Sequence, residues 1–248
     1  MSDNIVNIIF RGHAFRPIIK KQTRKPKKHG KRWRFSVGEV FQESIDNQLL
    51  VLNSIIKYII KPIQDKGYTV KIKGCIYNTT HNYVLVDFFE SLGFTVNIKF
   101  IKPCALQIQS AIVTCEENLN NDYYNLLLRL DQFFTKEIPI HFLTDKDKIY
   151  YLYYPDKKYN AIADQIHCIP GVLFTNFIEY LKDIKKNPIN SEDLSSLHFI
   201  HYRHTNIGYL FNKIELGNSN KRIGKDEDPF FFDLPKCRYD IRYKKFLN

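Results

Sequence analysis

One stretch of this 248-residue chain constrains its fold more than any other: Tyr124-Asn-Leu-Leu-Leu-Arg-Leu-Asp-Gln-Phe-Phe, residues 124–134. Leu126, Leu127, Leu128 and Leu130 lack the alternation of a strand with one wet face, so the run reads as a strand covered on both sides, as in a parallel sheet. Arg129 and Asp131 arrive where that strand would end. In open α/β sheets ligands bind beyond the carboxyl ends of the strands, which makes a charged pair there a candidate site. An internal salt bridge or a turn carboxylate would leave the same pattern, and spacing alone does not separate these readings.

The neighbouring segments supply the rest of such a sheet. Ile5-Val-Asn-Ile-Ile-Phe is a β-branched run expected to stop at Arg11-Gly-His-Ala-Phe-Arg16, a loop. One glycine for close approach and two arginines with planar donors suit phosphate oxygens, and a turn with solvated arginines fits the same residues. From Ser36 the apolar positions Val40, Phe41, Ile45, Leu49, Leu52, Ile55, Ile56, Ile59 and Ile60 recur at three and four, predicting a long amphipathic helix stopped by Pro62. Tyr68–Tyr77 reads as a strand with Asn78 to His81 as its polar exit, Tyr83–Leu92 as a helix closed by Gly93, Phe94–Ile101 as a strand and Leu106–Asn118 as a helix. Strand and helix in alternation with short joins predict a Rossmann-like, mainly parallel sheet flanked by helices.

Beyond the central run, Ile149–Tyr154 is an aromatic strand, and Ile162–Phe174 is a polar start running into a buried strand with a Pro170-Gly171 turn inside it. A helix is expected over Thr175–Ile184. Asp145 and Asp147 spell a literal DxD, whose carboxylates suit a hard divalent cation; a charged hairpin turn spells the same triplet. His198, His201 and His204 surround Tyr202 and Arg203, either as partly exposed helix residues or with one of them, His201, as a metal ligand. Gly217–Asp228 reads as loop, and the last twenty residues, mixing aromatics with Arg and Lys, are expected to pack back on the domain.

Charge narrows the function. The formal net charge is +11, yet eleven basic residues and no acidic ones lie between Arg11 and Arg34, and without them 26 basic residues face 26 acidic ones. One segment is basic and the body is neutral. Residues 17–34 cannot bury a core, and three uses compete for them: a lid over an anionic donor, a patch for nucleic acid or an acidic membrane, or a solvated loop. The lack of basic and aromatic interleaving elsewhere argues against nucleic acid as the partner. Five cysteines without a CxxC pair point to neither a zinc site nor a disulfide framework and fit a reducing compartment. With no signal-like start and no apolar run near ~20 residues, the expected location is the cytoplasm.

In order and spacing these features resemble the glycosyltransferase-like proteins of large DNA viruses and of bacterial surface-polysaccharide clusters, whose fold is similar to the GT-A nucleotide-sugar fold. Ile8-Ile-Phe-Arg-Gly-His-Ala-Phe-Arg resembles their opening strand and phosphate-side loop, and Gln107–Glu116 the helix before the central strand. Leu126-Leu-Leu-Arg-Leu-Asp-Gln-Phe-Phe-Thr-Lys-Glu-Ile resembles their Arg-x-Asp segment, and Asp164-Gln-Ile-His-Cys-Ile-Pro-Gly their later Asp-Gln strand. Arg129 stands where the first aspartate of a DxD would be, which leaves Asp131 as the only carboxylate of that pair.

The resemblance implies a nucleotide-sugar-dependent glycosyltransferase with a glycan or glycoprotein acceptor. Arg11, Gly12, Arg16 and Arg129 would bind the donor, and Asp131 would hold a divalent metal, Mn²⁺ or Mg²⁺, with His201 as the further ligand. Asp164 would take the acceptor's proton if the reaction inverts configuration. It also implies a GT-A-like domain over 1–184 and an extension over 185–248 that packs on the acceptor side. A nucleic-acid-binding protein that uses the basic arm, and an inactive relative with an interaction role, are the alternatives. If Asp131 serves a ligand and not the fold, Asp131→Asn is expected to cost little stability.

Overall fold

A computed structural model describes residues 4–12, 14, 42–104, 106–120, 124–153, 166–187, 207–211 and 231–233. Its centre is a seven-stranded sheet in the order β3-β2-β1-β4-β7-β6-β8. The strands are β1 (Ile5–Gly12), β2 (Thr69–Tyr77), β3 (Val96–Ile101), β4 (Tyr124–Arg129), β6 (Ile149–Tyr153), β7 (Ile166–Pro170) and β8 (Ile207–Phe211). Every pairing is parallel except β4 with β7 and β6 with β7, so β7 alone runs against the others. The mainly parallel, helix-flanked α/β architecture expected from the sequence is the one observed. A short pair, β5 (Gln132–Phe134) with β9 (Phe231–Asp233), forms a separate antiparallel ribbon just after β4.

The helices are α1 (Gln42–Ile55), α2 (Lys61–Asp65), α3 (Asn82–Ser91), α4 (Gln107–Glu117) and α5 (Gly171–Lys186). Side-chain alternation along the strands sorts the core into two clusters. Val6, Ile8, Phe10, Val70, Ile72, Ile76, Leu126 and Leu128 pack with α1, α2 and α3 on one face. Ile9, Leu127 and Ile169 pack with α4 and α5 on the other. The leucines of β4 are therefore buried from both sides, at about 1.5–3 kcal/mol for each side chain withdrawn from water.

Three boundaries differ from the sequence reading, each for a physical reason. First, β1 does not stop before Arg11 but runs to Gly12, because β4 continues to pair with it through Arg11 and β2 through Gly12. Second, Pro62 does not stop the helix. Residues Ile56–Ile60 form a π stretch, α2 starts directly after it with Pro62 in its first turn, and the Tyr58 carbonyl, which an N–H at position 62 would have taken, accepts from the Ile138 N–H at 2.8 Å. Third, Pro170 and Gly171 are not a turn inside a strand: Pro170 ends β7 and Gly171 opens α5.

Gly74 shows how tightly β1 and β2 approach. Its φ is +157°, and a Cβ there would lie 2.9 Å from the Phe10 nitrogen and closer still to the Phe10 carbonyl oxygen, so no larger residue fits without moving a strand. Phe10 in turn stacks on Phe89 of α3, with ring centroids 5.5 Å apart. No helix among the described residues is long and apolar enough to cross a membrane.

Candidate functional site at the strand-order switch

The chain leaves β1 toward β2 and β3 on one side and returns to place β4 on the other, so strand order reverses between β1 and β4. A crevice opens at the carboxyl ends of two such strands because the connecting helices go to opposite faces. Arg11 and Arg129 stand there as register partners. Two residues earlier, Ile9 and Leu127 both face the α4–α5 cluster, so the two arginines continue that lane to the edge of the sheet. Both side chains leave the same face of neighbouring strands, so register brings two positive charges to one edge. A negative charge at that edge offsets their repulsion.

Asp131 supplies one such charge. Arg129 grips its carboxylate with two parallel bonds, Nε to Oδ1 at 2.9 Å and Nη2 to Oδ2 at 2.7 Å, and Gln132 Nε2 donates to Oδ1 at 3.0 Å. Asp131 is only 4% exposed and Arg11 only 5%. The expectation that Asp131→Asn would cost little stability is thereby corrected, because breaking a buried pair leaves one charge uncompensated, typically at about 3–5 kcal/mol. Gly12, with φ +87°, takes the chain out of β1 in a conformation that only glycine adopts without strain. α1 braces the end of β4, since Gln48 Nε2 donates to the Leu130 carbonyl at 3.0 Å and the Phe134 N–H donates to Ser54 Oγ at 3.0 Å.

Of the residues singled out from the sequence, Arg11, Gly12, Arg129 and Asp131 lie at this one edge. Arg16, Asp164, His201 and the basic stretch 17–34 fall outside the described residues. Gln132 and Gln48 were not anticipated, and nothing in their local sequence marks them. Asn7 and Asn125 left a signal that was passed over, one polar residue inside each apolar strand: Asn7 Nδ2 donates to Asn125 Oδ1 at 2.9 Å, with both residues fully buried.

Among the described residues, those at this edge do not fit a divalent cation. Both oxygens of Asp131 accept N–H donors, one of them from two side chains, and a guanidinium lies within hydrogen-bonding distance, so a metal ion would meet positive charge and occupied lone pairs. Among the described residues no group of three or more His, Cys, Asp or Glu side chains gathers to hold one. The later DxD behaves as a turn. Asp145 accepts from the Asp147 N–H at 3.0 Å and from the Tyr150 hydroxyl at 2.8 Å, and these bonds hold its carboxyl below the usual range. The hydroxyl of Tyr124, the first residue of β4, donates to the Asp145 carbonyl, which places that turn at the amino end of β4, away from Asp131.

Around Arg11 the ionisable neighbours are held neutral. Burial pushes the Tyr77 phenol up although the Arg11 charge works the other way, and burial likewise pushes up Cys115 against the same charge. Cys75, the register partner of Arg11 on β2, is raised to about 11, chiefly by burial. None of these groups offers a nucleophile near neutral pH.

As a sequence the chain matches no protein-family model and no curated protein. Solved structures do resemble it. It covers 75% of its length against 39% of the glycosyltransferase GlyE of Streptococcus pneumoniae TIGR4, at 7% identity and a TM-score of 0.46. It covers 85% against 93% of a nucleoside-diphosphate-sugar pyrophosphorylase from Vibrio cholerae RC9, at 12% identity and a TM-score of 0.45. Against a glucose-1-phosphate thymidylyltransferase from Bacillus anthracis, crystallised with sucrose, 98% of this chain aligns with 93% of the other at 10% identity and a TM-score of 0.51, and on that match the two share a fold.

Proposed function

We propose that the protein is a nucleotide-sugar-dependent glycosyltransferase that binds the donor diphosphate at the carboxyl ends of β1 and β4. The observation that carries this reading is the side-by-side placement of Arg11 and Arg129 at the strand-order switch, next to Gly12. Breaking the bond between a sugar and its diphosphate leaves negative charge on the departing phosphate, and fixed positive charge aimed at it lowers the barrier. Planar guanidinium groups suit phosphate oxygens better than ammonium groups do. The acceptor in this reading is a glycan or glycoprotein, and, if the reaction inverts configuration, Asp164 is the proposed base that takes the acceptor hydroxyl's proton.

A thermal-shift series of nucleoside diphosphates and their sugars is the direct test. Donor at ten- to a hundredfold above its dissociation constant should stabilise the fold by about 1.4–2.7 kcal/mol. A single-stranded oligonucleotide should do less and lose its effect in moderate salt. The reading fails if no nucleotide shifts the transition and nucleic acid binds tightly in high salt. The fold shared with a thymidylyltransferase favours a second reading, nucleotidyl transfer to a sugar phosphate. Product analysis separates the two, because nucleotidyl transfer releases pyrophosphate and glycosyl transfer releases a nucleoside diphosphate.

A further inference from the structure

We infer that the diphosphate at this edge is bound by arginine alone: Arg11 and Arg129 take the place of a divalent cation, and Asp131 is a positioning residue that aims the Arg129 guanidinium. The inference rests on the nucleotide-sugar reading for the identity of the anion, and on three observations of its own.

The first is charge. Arg11 and Arg129 bring the two positive charges of a divalent ion to one edge of the sheet, and Asp131 pairs with Arg129. The second is geometry. The carboxylate engages the Nε and Nη2 edge of Arg129, which fixes the plane of the guanidinium and turns its remaining N–H bonds away from Asp131. Gln132 adds a third donor to the carboxylate and so holds the holder. The third is the mismatch with a metal: the oxygens a cation would need are the ones Arg129 and Gln132 occupy, and a cation at Asp131 would have to expel the guanidinium that register places beside Arg11.

The roles of the two residues follow. Arg129 contributes charge and direction to the anion, so lysine, which lacks the planar fork, should not replace it. Asp131 contributes through Arg129, so an acceptor at that position matters more than its charge. Asparagine keeps one acceptor oxygen, and alanine keeps none.

The test is titration calorimetry of the full chain with inorganic pyrophosphate in buffer containing EDTA. Wild type is expected to bind, Arg129→Gln and Arg129→Lys to bind on the order of tenfold more weakly, and Asp131→Ala to fall as far, while Asp131→Asn stays within about threefold of wild type. The rescue by asparagine is the readout that a merely structural aspartate would not give. Because either single change can disturb folding, the neutral pair Arg129→Gln with Asp131→Asn serves as the second variant; it should melt near wild type and still lose on the order of tenfold in affinity. Pyrophosphate binding by that pair at wild-type strength would overturn the inference. So would binding that appears only with excess Mn²⁺ and vanishes in Asp131→Asn. The same samples, tested with nucleoside diphosphate sugars, keep the two proposals apart. Stabilisation by those sugars only with Mn²⁺ sinks this inference and leaves the functional reading standing. Pyrophosphate binding in EDTA with no response to any nucleotide does the reverse, and silence toward every anion removes both.

Discussion

The two faces of the central sheet are both largely buried and chemically unlike. On the α1–α3 face, β1 and β4 present Val6, Ile8, Phe10, Leu126 and Leu128, all hydrocarbon, with the Tyr124 hydroxyl as the polar exception at the amino end of β4. On the α4–α5 face the same strands present Asn7, Ile9 and Arg11 beside Asn125, Leu127 and Arg129, and the neighbouring strands add His167 against the rings of Tyr151 and Phe177. A dry face needs only shape. A face with buried polar groups needs a partner for each of them, and those partners fix orientation as well as contact. The difference teaches a division of labour within one strand: alternate residues of β1 and β4 pack hydrocarbon on one side and line up polar groups, ending in two arginines, on the other.

The comparison breaks most visibly on the dry face. Phe89→Ala removes the ring stacked on Phe10 and should cost about 3–5 kcal/mol in urea unfolding, while activity per folded molecule stays unchanged. Gly74→Ala, which forces a Cβ against the Phe10 backbone, belongs to the same class, at about 3 kcal/mol or more. A dry-face variant that keeps its stability but loses turnover would show that the faces do not divide as described.

On the polar face the largest effect should fall on chemistry. Arg129→Gln is expected to lower transfer by about 10²–10³-fold, the usual loss when one preorganised donor is removed from developing negative charge. Single-turnover kinetics on the folded fraction would check this, and a loss smaller than tenfold would move the site elsewhere. The Asn7–Asn125 pair tests the face away from its edge. Asn7→Leu alone should cost about 1–3 kcal/mol by stranding a partner, whereas Asn7→Leu with Asn125→Leu should recover most of it. Failure of the double change to recover stability would put the weight on the further bond from Asn125 Nδ2 to the Asn120 carbonyl, at 3.4 Å.

The smallest effect is expected at Asp145, the carboxylate of the outer turn. Its folded value lies below the usual one because Tyr150 and the Asp147 N–H bond its charged form, so its contribution is present above the unfolded value of about 3.9 and is lost as pH falls through the folded value. The carboxylate still reaches solvent, and the contribution should stay under about 1 kcal/mol. Urea midpoints of wild type and Asp145→Asn should differ slightly at pH 7 and converge at acid pH. A difference that grows as pH falls would contradict the assignment.

Much of the architecture was legible in local pattern, because an apolar run and a three-four repeat report burial residue by residue. The run at 126–130 announced a strand covered on both sides, and the alternation of strand and helix announced the parallel sheet. The same local reading misplaced Pro62, since the hydrogen bond that lets the helix continue comes from Ile138, 76 residues later. It left the pair at 129 and 131 open between a site and a salt bridge. The structure shows the salt bridge, and the register of the sheet then puts it beside Arg11 at the edge where the diphosphate is proposed to bind.

By itself, then, the sequence determined which segments could be strands and helices and which faces they bury, because propensity and periodicity act over a few residues. Only the tertiary structure decided that β7 runs against its neighbours, that Arg11 stands beside Arg129 across 118 residues of chain, and that Asp131 is turned toward Arg129 and Gln132. Strand order and register are set by the summed packing of the whole sheet. No residue carries that sum alone.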